Sequence, residues 1–398
     1  MHTSKHLRIC VIGAGTAGLA TAIAMAVKGF EVHVFEKHQS LTDLGAGLLI
    51  QPQGIRALGQ LGVGAQFQRA SVPVDRLHGV THRGWTLVDV PYADGEARAV
   101  SRSALSKLLY EAAVSAGARV HFSAEVSGIV VRGERAEIAG VGTSSLFDLV
   151  VIADGASAGL AEQCGLVASP QLYPWGALWG LFPVKDWKYS RVLEQRYRTT
   201  EQMFGLMPTR QEGDVTYLSL FWSLRNDRYS AWREAPVDDW KRELLSLWPE
   251  ALPIIEQIHS HDQMSFATYR QARALSLASG PLCVVGDAAH SMSPQLGLGS
   301  TLAVQDALML ATQVDEHGAR LGAWSYGRHR RLSVKAYQFL SRALTPCFQA
   351  QGSGLWRDLL FAAGVRTPGV KYLMYRSVAE PRGVTRCRDS KLESSRGR

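Results

Sequence analysis

A glycine-rich turn near the start of the chain has the residue types and spacing that bind phosphate. Gly13, Gly15 and Gly18 form a Gly-x-Gly-x-x-Gly pattern between a β-branched apolar run at 9–12 and helix formers at 19–27. This order is typical of a strand, a tight turn and a helix whose free N–H groups bind a pyrophosphate. Gly13 makes the turn, Gly15 lets the phosphate approach and Gly18 allows close packing. The residues expected at the nucleotide are Gly13, Gly15, Thr16, Ala17 and Gly18.

An acidic residue follows at the spacing that such a site requires. The strand-like run 31–35 leads into Glu36, 18 residues beyond Gly18. A carboxylate at this place hydrogen-bonds the ribose hydroxyls of the nucleotide and disfavours a 2′-phosphate. Glu36 and the neighbouring Lys37 are therefore expected at the cofactor, which should be FAD or NAD.

A second strand–loop–helix unit far downstream favours FAD. The apolar run 281–285 leads into Gly286 and Asp287, and a helix is expected over 300–314. Asp287 can accept a hydrogen bond from a ribityl hydroxyl, and the helix dipole favours the negative charge of a reduced flavin. The contacts expected in this unit are Gly286, Asp287, Gly297, Leu298, Gly299 and Ser300.

These motifs together resemble those of the group A flavoprotein monooxygenases, the FAD-dependent aromatic hydroxylases of the p-hydroxybenzoate and salicylate hydroxylase type. The matching segments are 13–18 with Glu36, 47–53, 57–62, 101–105, 153–155 and 286–299. The resemblance implies an α/β fold, in which a Rossmann-like FAD-binding domain carries an inserted antiparallel-sheet substrate domain and C-terminal helices.

The resemblance also assigns roles to further residues. It implies that Arg102 reaches the FAD phosphates, that Val126 contacts the adenine and that Asp154 binds the cofactor through the central Asp-Gly motif. The loop expected along the reactive edge of the flavin, acting through its backbone, contains Pro294, Gly297 and Gly299.

The reaction implied by the resemblance is the insertion of one oxygen atom from O2 into an apolar aromatic or heteroaromatic small molecule. FAD reduced by NADH or NADPH would form a C4a-hydroperoxide that transfers its terminal oxygen. An FAD-dependent oxidase or reductase, a halogenase and a non-enzymatic flavin-binding protein remain as alternatives. Halogenation is disfavoured because Trp179–Pro183 lacks the halogenase pattern Trp-x-Trp-x-Ile-Pro.

The central motif departs from the family pattern, which usually reads Asp-Gly-x-x-Ser-x-x-Arg. The serine is replaced by Ala158 and the arginine by Ala161. Reduction by NAD(P)H therefore needs another basic group near the flavin, or it proceeds differently. His290 is interpreted as structural, because no nucleophile, carboxylate partner or metal-spaced histidine lies near it in the sequence.

The middle of the chain has a different composition and is expected to bind the substrate. Seven of the ten tryptophans lie at 175, 179, 187, 222, 232, 240 and 248. Strands are expected at 175–184, 192–199, 203–208 and 215–224, with a helix at 237–247. Each aromatic residue taken alone is more typical of a protein core than of a ligand wall, but as a group these residues predict a flat apolar substrate. The candidate substrate contacts are Met203, Arg210, Tyr217 and Phe221.

The expected domains are discontinuous. The FAD-binding domain is predicted at 1–71, 98–172 and 273–345, and the substrate domain at 72–97 and 173–272. Residues 346–398 are predicted to form C-terminal helices and a basic tail. Apolar patches at 355–361 and 370–375 are interpreted as helices over the substrate entrance, with shallow membrane or partner contact as the alternative.

Composition and charge exclude several classes of protein. The chain has 398 residues and a formal net charge of +8, and half of this excess lies at 376–398, where seven basic residues face three acidic ones. The remaining excess is dispersed without runs of like charge, which gives no case for nucleic acid. Five widely spaced cysteines without a Cys-x-x-Cys pair predict neither a disulfide framework nor a metal site.

The expected location and partners follow from these features. The apolar stretch 9–27 is interrupted by glycines and lacks a cleavage site, so neither a secretory signal nor an integral membrane span is expected. We expect a cytoplasmic monomer or homodimer whose partners are a small aromatic substrate, O2 and NADH or NADPH.

Overall fold

The computed structural model describes residues 7–41, 47–92, 97–141, 145–293, 297–349, 351–352 and 354–365. Pro294, the proline expected at the flavin edge, and the basic tail at 376–398 lie outside the described residues.

The described residues contain nineteen strands and twelve α-helices. The strands are β1 (Arg8–Ile12), β2 (Glu31–Phe35), β3 (Gly47–Ile50), β4 (Val72–Val74), β5 (Arg76–Thr81), β6 (Thr86–Pro91), β7 (Ala97–Ser101), β8 (Arg119–His121), β9 (Gly128–Arg132), β10 (Arg135–Ala139), β11 (Ser145–Phe147), β12 (Leu149–Ile152), β13 (Val167–Lys185), β14 (Val192–Arg198), β15 (Gln202–Glu212), β16 (Val215–Arg225), β17 (Ser265–Ala274), β18 (Ala278–Ser279) and β19 (Leu282–Val284). The helices are α1 (Thr16–Val27), α2 (Pro52–Gln60), α3 (Gly64–Ala70), α4 (Arg102–Ser115), α5 (Gly159–Gln163), α6 (Tyr229–Glu234), α7 (Val237–Leu247), α8 (Leu252–Ile255), α9 (Asp287–His290), α10 (Gly299–His317), α11 (Ala319–Phe348) and α12 (Leu355–Val365).

A six-stranded sheet holds the predicted nucleotide motifs. Its order is β18-β19-β12-β1-β2-β8, and all neighbours pair in parallel except β18 and β19. Strand β12 is buried along its whole length, as expected for a parallel sheet that is covered on both faces. Helix α1 follows β1 and packs against α4 and α10.

A seven-stranded sheet forms the second large layer. Its order is β17-β13-β16-β15-β14-β5-β6, and only β14 and β5 pair in parallel. The four strands and the helix expected from the aromatic middle of the chain fall on β13 to β16 and on α7. Strands β5 and β6 add residues from 76–91 to the same sheet. Two three-stranded antiparallel sheets, β11-β10-β9 and β3-β7-β4, complete the described strands.

The two faces of the seven-stranded sheet have different neighbours because successive side chains of a strand point to opposite faces. On β16, Leu218, Leu220 and Trp222 join a core with residues of α7 and α8. Phe221 belongs to a separate cluster that includes residues of β3, β4, β6 and β7. We call the face that carries Phe221 the inner face.

Two long helices follow the second nucleotide motif. The helix expected over 300–314 is α10, which extends to His317, because no helix breaker occurs before Gly318. Helix α11 runs to Phe348, so the domain boundary expected after residue 345 falls inside a continuous helix.

Candidate functional site

Four adjacent parallel strands end side by side at one edge of the six-stranded sheet. Ile12 is in register with Phe35 on one side and with Ile152 on the other, and Ile152 is in register with Val284. Adjacent strands lie about 4.8 Å apart, so the four turns that follow them share this edge. The carboxyl edge of such a sheet is where α/β folds bind nucleotides. The turns contain Gly13, Glu36, Asp154 and Gly286.

The glycine turn leaves no room for a side chain at Gly13 and Gly18, whereas Gly15 faces free space. Gly13 has φ +102°, and a Cβ built there would lie 2.4 Å from the Ala153 carbonyl oxygen. A Cβ on Gly18 would lie 1.9 Å from the Gly13 carbonyl oxygen, so this glycine permits the helix to contact the turn. A Cβ on Gly15 would meet no atom within 4 Å. The free space at Gly15 is where the motif predicts the pyrophosphate.

Both helices at this edge begin without a side chain that caps them. Helix α1 has Gly15 and α10 has Leu298 at its N-cap, and neither has an acidic residue in its first turn. The first N–H groups of a helix lack intrahelical partners and carry partial positive charge. Two such helix starts fit a cofactor that has an anionic pyrophosphate and a ring that becomes negatively charged on reduction.

Glu36 binds the glycine turn itself. Its Oε2 accepts the Ala14 N–H at 2.8 Å, and its Oε1 accepts the His38 N–H at 2.9 Å. The Gly13 N–H donates to the Phe35 carbonyl oxygen at 2.8 Å. The residue predicted to hold the ribose therefore also joins the end of β2 to the turn after β1. Lys37 is exposed beside it.

We expect Glu36→Ala to raise the dissociation constant of FAD by about tenfold to a hundredfold. A hydrogen bond to a charged group contributes about 1.5–3 kcal/mol, and about 1.4 kcal/mol is a factor of ten in affinity. Titration of the apoprotein with FAD, followed by flavin fluorescence, measures the change. Glu111→Ala is the control because Glu111 is exposed on α4. Equal affinities of the two variants would show that Glu36 has no part in the site.

One carboxylate oxygen of Asp154 is buried and has no hydrogen-bond partner among the described residues. Its Oδ2 accepts the Leu160 N–H at 2.9 Å, whereas Oδ1 is buried without a hydrogen-bond partner among the described residues. Burial raises the pKa of this carboxyl above its usual range. An unpaired acceptor beside the glycine turn fits a hydroxyl donor of the cofactor. Ala158 and Ala161, which replace the usual serine and arginine, are both fully buried in the core.

The start of α10 lies against the second nucleotide turn. Gly286 has φ +61°, and a Cβ there would lie 2.5 Å from the Cβ of Ala17 on α1. A Cβ on Gly299 would lie 3.6 Å from Asp287 Oδ1. The structure thus brings the two motifs together, although they are far apart in the sequence. Leu298 is buried and Gly297 is exposed with φ +59°.

Helices α1, α4 and α10 pack around a gap that is too narrow to admit a water molecule. Its lining includes Thr16 on α1, Leu105 on α4, and Ser300 and Thr301 on α10. Thr301 Oγ1 is buried without a hydrogen-bond partner among the described residues. Thr16 and Ser300, both predicted cofactor contacts, therefore lie close together at the starts of α1 and α10.

Arg102 and Val126, the residues predicted at the FAD phosphates and the adenine, remain predictions. Arg102 is the exposed first residue of α4, and the Ser101 hydroxyl caps this helix by accepting the Ala104 N–H at 3.1 Å. Val126 is buried. The sequence did not single out Tyr269 on β17, which lies near Trp179 and within electrostatic range of Arg102. Burial raises the pKa of Tyr269. This tyrosine connects the predicted phosphate contact with the aromatic sheet.

A buried ionic cluster behind the second motif was also missed. Asp306 Oδ2 lies 2.6 Å from His290 Nε2 and accepts the Gly286 N–H at 2.9 Å. Asp306 Oδ1 accepts from Arg330 Nε at 2.6 Å. His290 is structural, as expected, but the expectation that it lacks a carboxylate partner was wrong, because its partner lies sixteen residues away on α10. A lone acid on the apolar stripe of α10, with Leu302 and Leu310 a turn away on either side, was the signal for this cluster.

The four candidate substrate contacts fall into two places. The Arg210 guanidinium lies 3.7 Å from the Tyr217 ring centroid, and both side chains contact Glu212. Phe221 is four residues further along β16, about 13 Å away, and packs with Met203 in the inner-face cluster. All four remain predictions. The inner-face pair lies on the same face as Trp179, whose ring centroid is 5.3 Å from that of Phe221.

Most of the tryptophans do not line a substrate site. Five of the seven belong to the core on the other face of the sheet, under α6 to α8, and they are Trp187, Trp222, Trp232, Trp240 and Trp248. The core position expected of each tryptophan taken alone is therefore confirmed for these five, and the substrate prediction made for the group does not apply to them. The sequence period alone does not reveal which face the helices cover.

Comparison with known proteins identifies the class of this chain. Residues 6–335 match the FAD binding domain family, and the chain belongs to that family. The resemblance to FAD-dependent aromatic monooxygenases, the α/β fold class and FAD as the cofactor are thereby confirmed.

Individual relatives have low sequence identity but similar length. A probable 2-heptyl-3-hydroxy-4(1H)-quinolone synthase of Rhodococcus erythropolis is 27% identical over 324 residues, which cover 79% of this chain and 82% of the relative. The 6-hydroxynicotinate 3-monooxygenase of Pseudomonas fluorescens is 27% identical over 336 residues, which cover 79% and 84%.

Solved structures share the fold. A variant of Klebsiella pneumoniae HpxO in complex with FAD aligns with a TM-score of 0.78 at 19% identity, covering 95% of this chain and 100% of the other. The 2-methyl-3-hydroxypyridine-5-carboxylic acid oxygenase aligns with a TM-score of 0.76 at 21% identity, covering 89% and 96%.

Two features are absent from the part of the chain that the structure describes. None of its helices combines the length and apolar character needed to cross a bilayer. No group of three or more His, Cys, Asp or Glu side chains in these ranges is arranged to hold a metal ion.

Proposed function

We propose that this protein inserts one oxygen atom from O2 into an apolar aromatic or heteroaromatic small molecule, with NADH or NADPH as the reductant. The observation that carries the proposal is a contact: the inner face of the seven-stranded sheet packs against β3, which belongs to the predicted FAD-binding domain. A Cβ on Gly47 of β3 would lie within 2.8 Å of Ser219, Thr209 and Met207 of that sheet. A flat substrate between this face and the flavin would have the reacting ring beside the cofactor.

The proposed cofactor contacts are those predicted from the sequence. Gly15 and the start of α1 would hold the pyrophosphate, Glu36 the ribose, and Asp287 with the start of α10 the ribityl chain and the flavin ring. Bound FAD supplies the redox chemistry that activates O2. The proposed division assigns 1–71, 98–172 and 273–345 to FAD and 72–97 and 173–272 to the substrate.

The aromatic side chains of the inner face are the chain's own contribution to the proposed reaction. The Phe221 ring lies over Gly205, since a Cβ there would be 2.0 Å from Phe221 Cζ, and Trp179 stands beside it. Such rings exclude water and orient a planar substrate without needing an acid or base. The relatives named for a quinolone and for hydroxynicotinate favour a nitrogen heterocycle over a benzoate. We also propose a cytoplasmic monomer or homodimer.

The proposed reaction is tested with the FAD-loaded protein. A panel of 4-quinolones, hydroxypyridines and simple phenols, with a saturated ring as control, is screened for faster oxidation of NADH or NADPH. We expect at least one aromatic compound to accelerate oxidation and to yield a product heavier by one oxygen atom. A product that has lost hydrogen would support an oxidase, and one that has gained a halogen would support a halogenase. No acceleration by any compound would favour a non-enzymatic flavoprotein.

A further inference from the structure

A basic groove lies on the outer face of α11, away from the site described above. Its volume is about 390 Å³, and its second wall is the segment 273–278 between β17 and β18. This volume suits a small organic molecule. Five cationic side chains line the groove, and no carboxylate does: Arg273, Arg328, Arg331, Lys335 and Arg342.

Among the residues that the structure describes, no carboxylate neutralises the positive charge of this groove. Helix α11 has six Lys and Arg residues and no Asp or Glu over its 30 residues. Arg330 pairs with Asp306 in the interior, and Arg320 pairs with Glu134 at 3.5 Å. Within the described ranges, none of the five groove cations forms a salt bridge. The charge excess that looks dispersed in the sequence is therefore partly gathered in one place, and a bound anion would relieve the repulsion.

The groove also offers apolar and aromatic surface. Leu277 and Val334 are buried in its floor. Trp324 and Phe339 line it while remaining 55% and 75% exposed, and the Arg328 guanidinium lies 4.9 Å from the Trp324 ring centroid. Exposed aromatic rings with adjacent cations bind a planar ring that carries phosphates. The ligand chemistry indicated is that of a nucleotide.

The other side of α11 holds the segment that leads to the flavin edge. Gln338, which lines the groove, donates to the Ala272 carbonyl oxygen at 2.7 Å, and the Ala272 N–H donates to Ser291 Oγ at 3.0 Å. The Ser341 hydroxyl lies 2.6 Å from that of Ser293. One helix thus separates the groove from the loop that begins at Ser291.

We propose that this groove binds the adenosine and phosphate part of NADPH. The inference rests on the proposed function, which requires a pyridine nucleotide, and on the buried Ala158 and Ala161, which leave the central motif without its usual cation. NADPH carries about four negative charges, since its 2′-phosphate adds up to about two to the pyrophosphate. Five unpaired cations match this charge better than that of NADH.

The test compares nucleotide binding to FAD-loaded variants by isothermal titration calorimetry. We expect NADPH to bind more tightly than NADH, and the double variant Arg331→Ala/Lys335→Ala to weaken NADPH binding by about tenfold. Both side chains are exposed, so FAD content and thermal stability should not change. Arg320→Ala is the matched control, because it removes an exposed cation of the same helix outside the groove. Higher salt should weaken NADPH binding in the wild type more than in the double variant.

The outcomes separate this inference from the proposed function. Unchanged NADPH affinity in the double variant, or an NADH affinity equal to that for NADPH in the wild type, would overturn the assignment of the groove. Tenfold weaker NADPH binding in a protein that no aromatic compound stimulates would retain the groove and remove the monooxygenase. If an aromatic compound stimulates NADPH oxidation and kcat/KM for NADPH is equal in wild type and double variant, the monooxygenase is retained and the assignment of the groove is overturned.

Discussion

Gly15→Val is expected to give a folded protein that is purified without FAD, with an affinity for FAD reduced by more than a hundredfold. Gly15 has an extended backbone conformation, and an added Cβ there meets no protein atom within 4 Å, so valine does not disturb the apoprotein. The side chain instead occupies the space predicted for the pyrophosphate. The flavin absorption of the purified variant and its circular dichroism spectrum measure the two effects.

The control for this result is Gly18→Val, three residues away in the same motif. A Cβ on Gly18 would overlap the Gly13 carbonyl oxygen at 1.9 Å, and backbone cannot move aside as a flexible side chain can. This variant should therefore lose stability together with FAD, whereas Gly15→Val should lose FAD alone. A yellow, fully loaded Gly15→Val protein would refute the placement of the nucleotide.

Asp306→Asn should destabilise the protein by about 3–5 kcal/mol. The substitution leaves the buried Arg330 guanidinium without its counter-charge, and removing one partner of a buried ion pair has this cost. Urea unfolding followed by tryptophan fluorescence measures the loss. The control is Asp315→Asn on the same helix, whose partly exposed pair with Lys28 should contribute at most about 1 kcal/mol. FAD retention should also fall, because Asp306 holds the Gly286 N–H.

The pH dependence gives the Asp306 prediction a second readout. Burial opposes ionisation of this carboxyl, but the charges of Arg330 and His290 outweigh it and lower its pKa from 3.8 to about 2. A depressed pKa in the folded state means that the carboxylate stabilises the protein above pH 3.8 and that this contribution is lost as the pH falls through 2. The stability difference between wild type and variant should be constant from pH 7 to 4 and should narrow below that. A difference that disappears near pH 6 would contradict this assignment.

The nucleotide motifs could be predicted because their chemistry is local. Gly13, Gly15 and Gly18 serve a turn of six residues, and the strand that leads into Glu36 follows after a single helix. The pairing of His290 with Asp306 was missed because it depends on how α9 packs on α10, although the acid on an apolar stripe gave a warning. Arg273 lies on β17, whereas the other groove cations lie on α11. No sequence pattern shows that these two elements come together. The substrate prediction did not hold for most of the tryptophans. Alternation along a strand separates its side chains into two faces, but it does not show which face the helices cover.

Side chains alternate between the two faces of β16, and this separates positions that tolerate substitution from positions that the core requires. Leu218, Leu220 and Trp222 belong to the helix-covered core, so larger or smaller side chains there cost stability. Ser219 and Phe221 point the other way, where Ser219 packs against Gly47 of β3 and Phe221 joins the inner-face cluster. Substitutions at these odd positions change the proposed substrate face while the tryptophan core stays intact. If the proposed substrate face is correct, single substitutions along this one strand alter substrate preference, which makes the strand a favourable starting point for laboratory evolution.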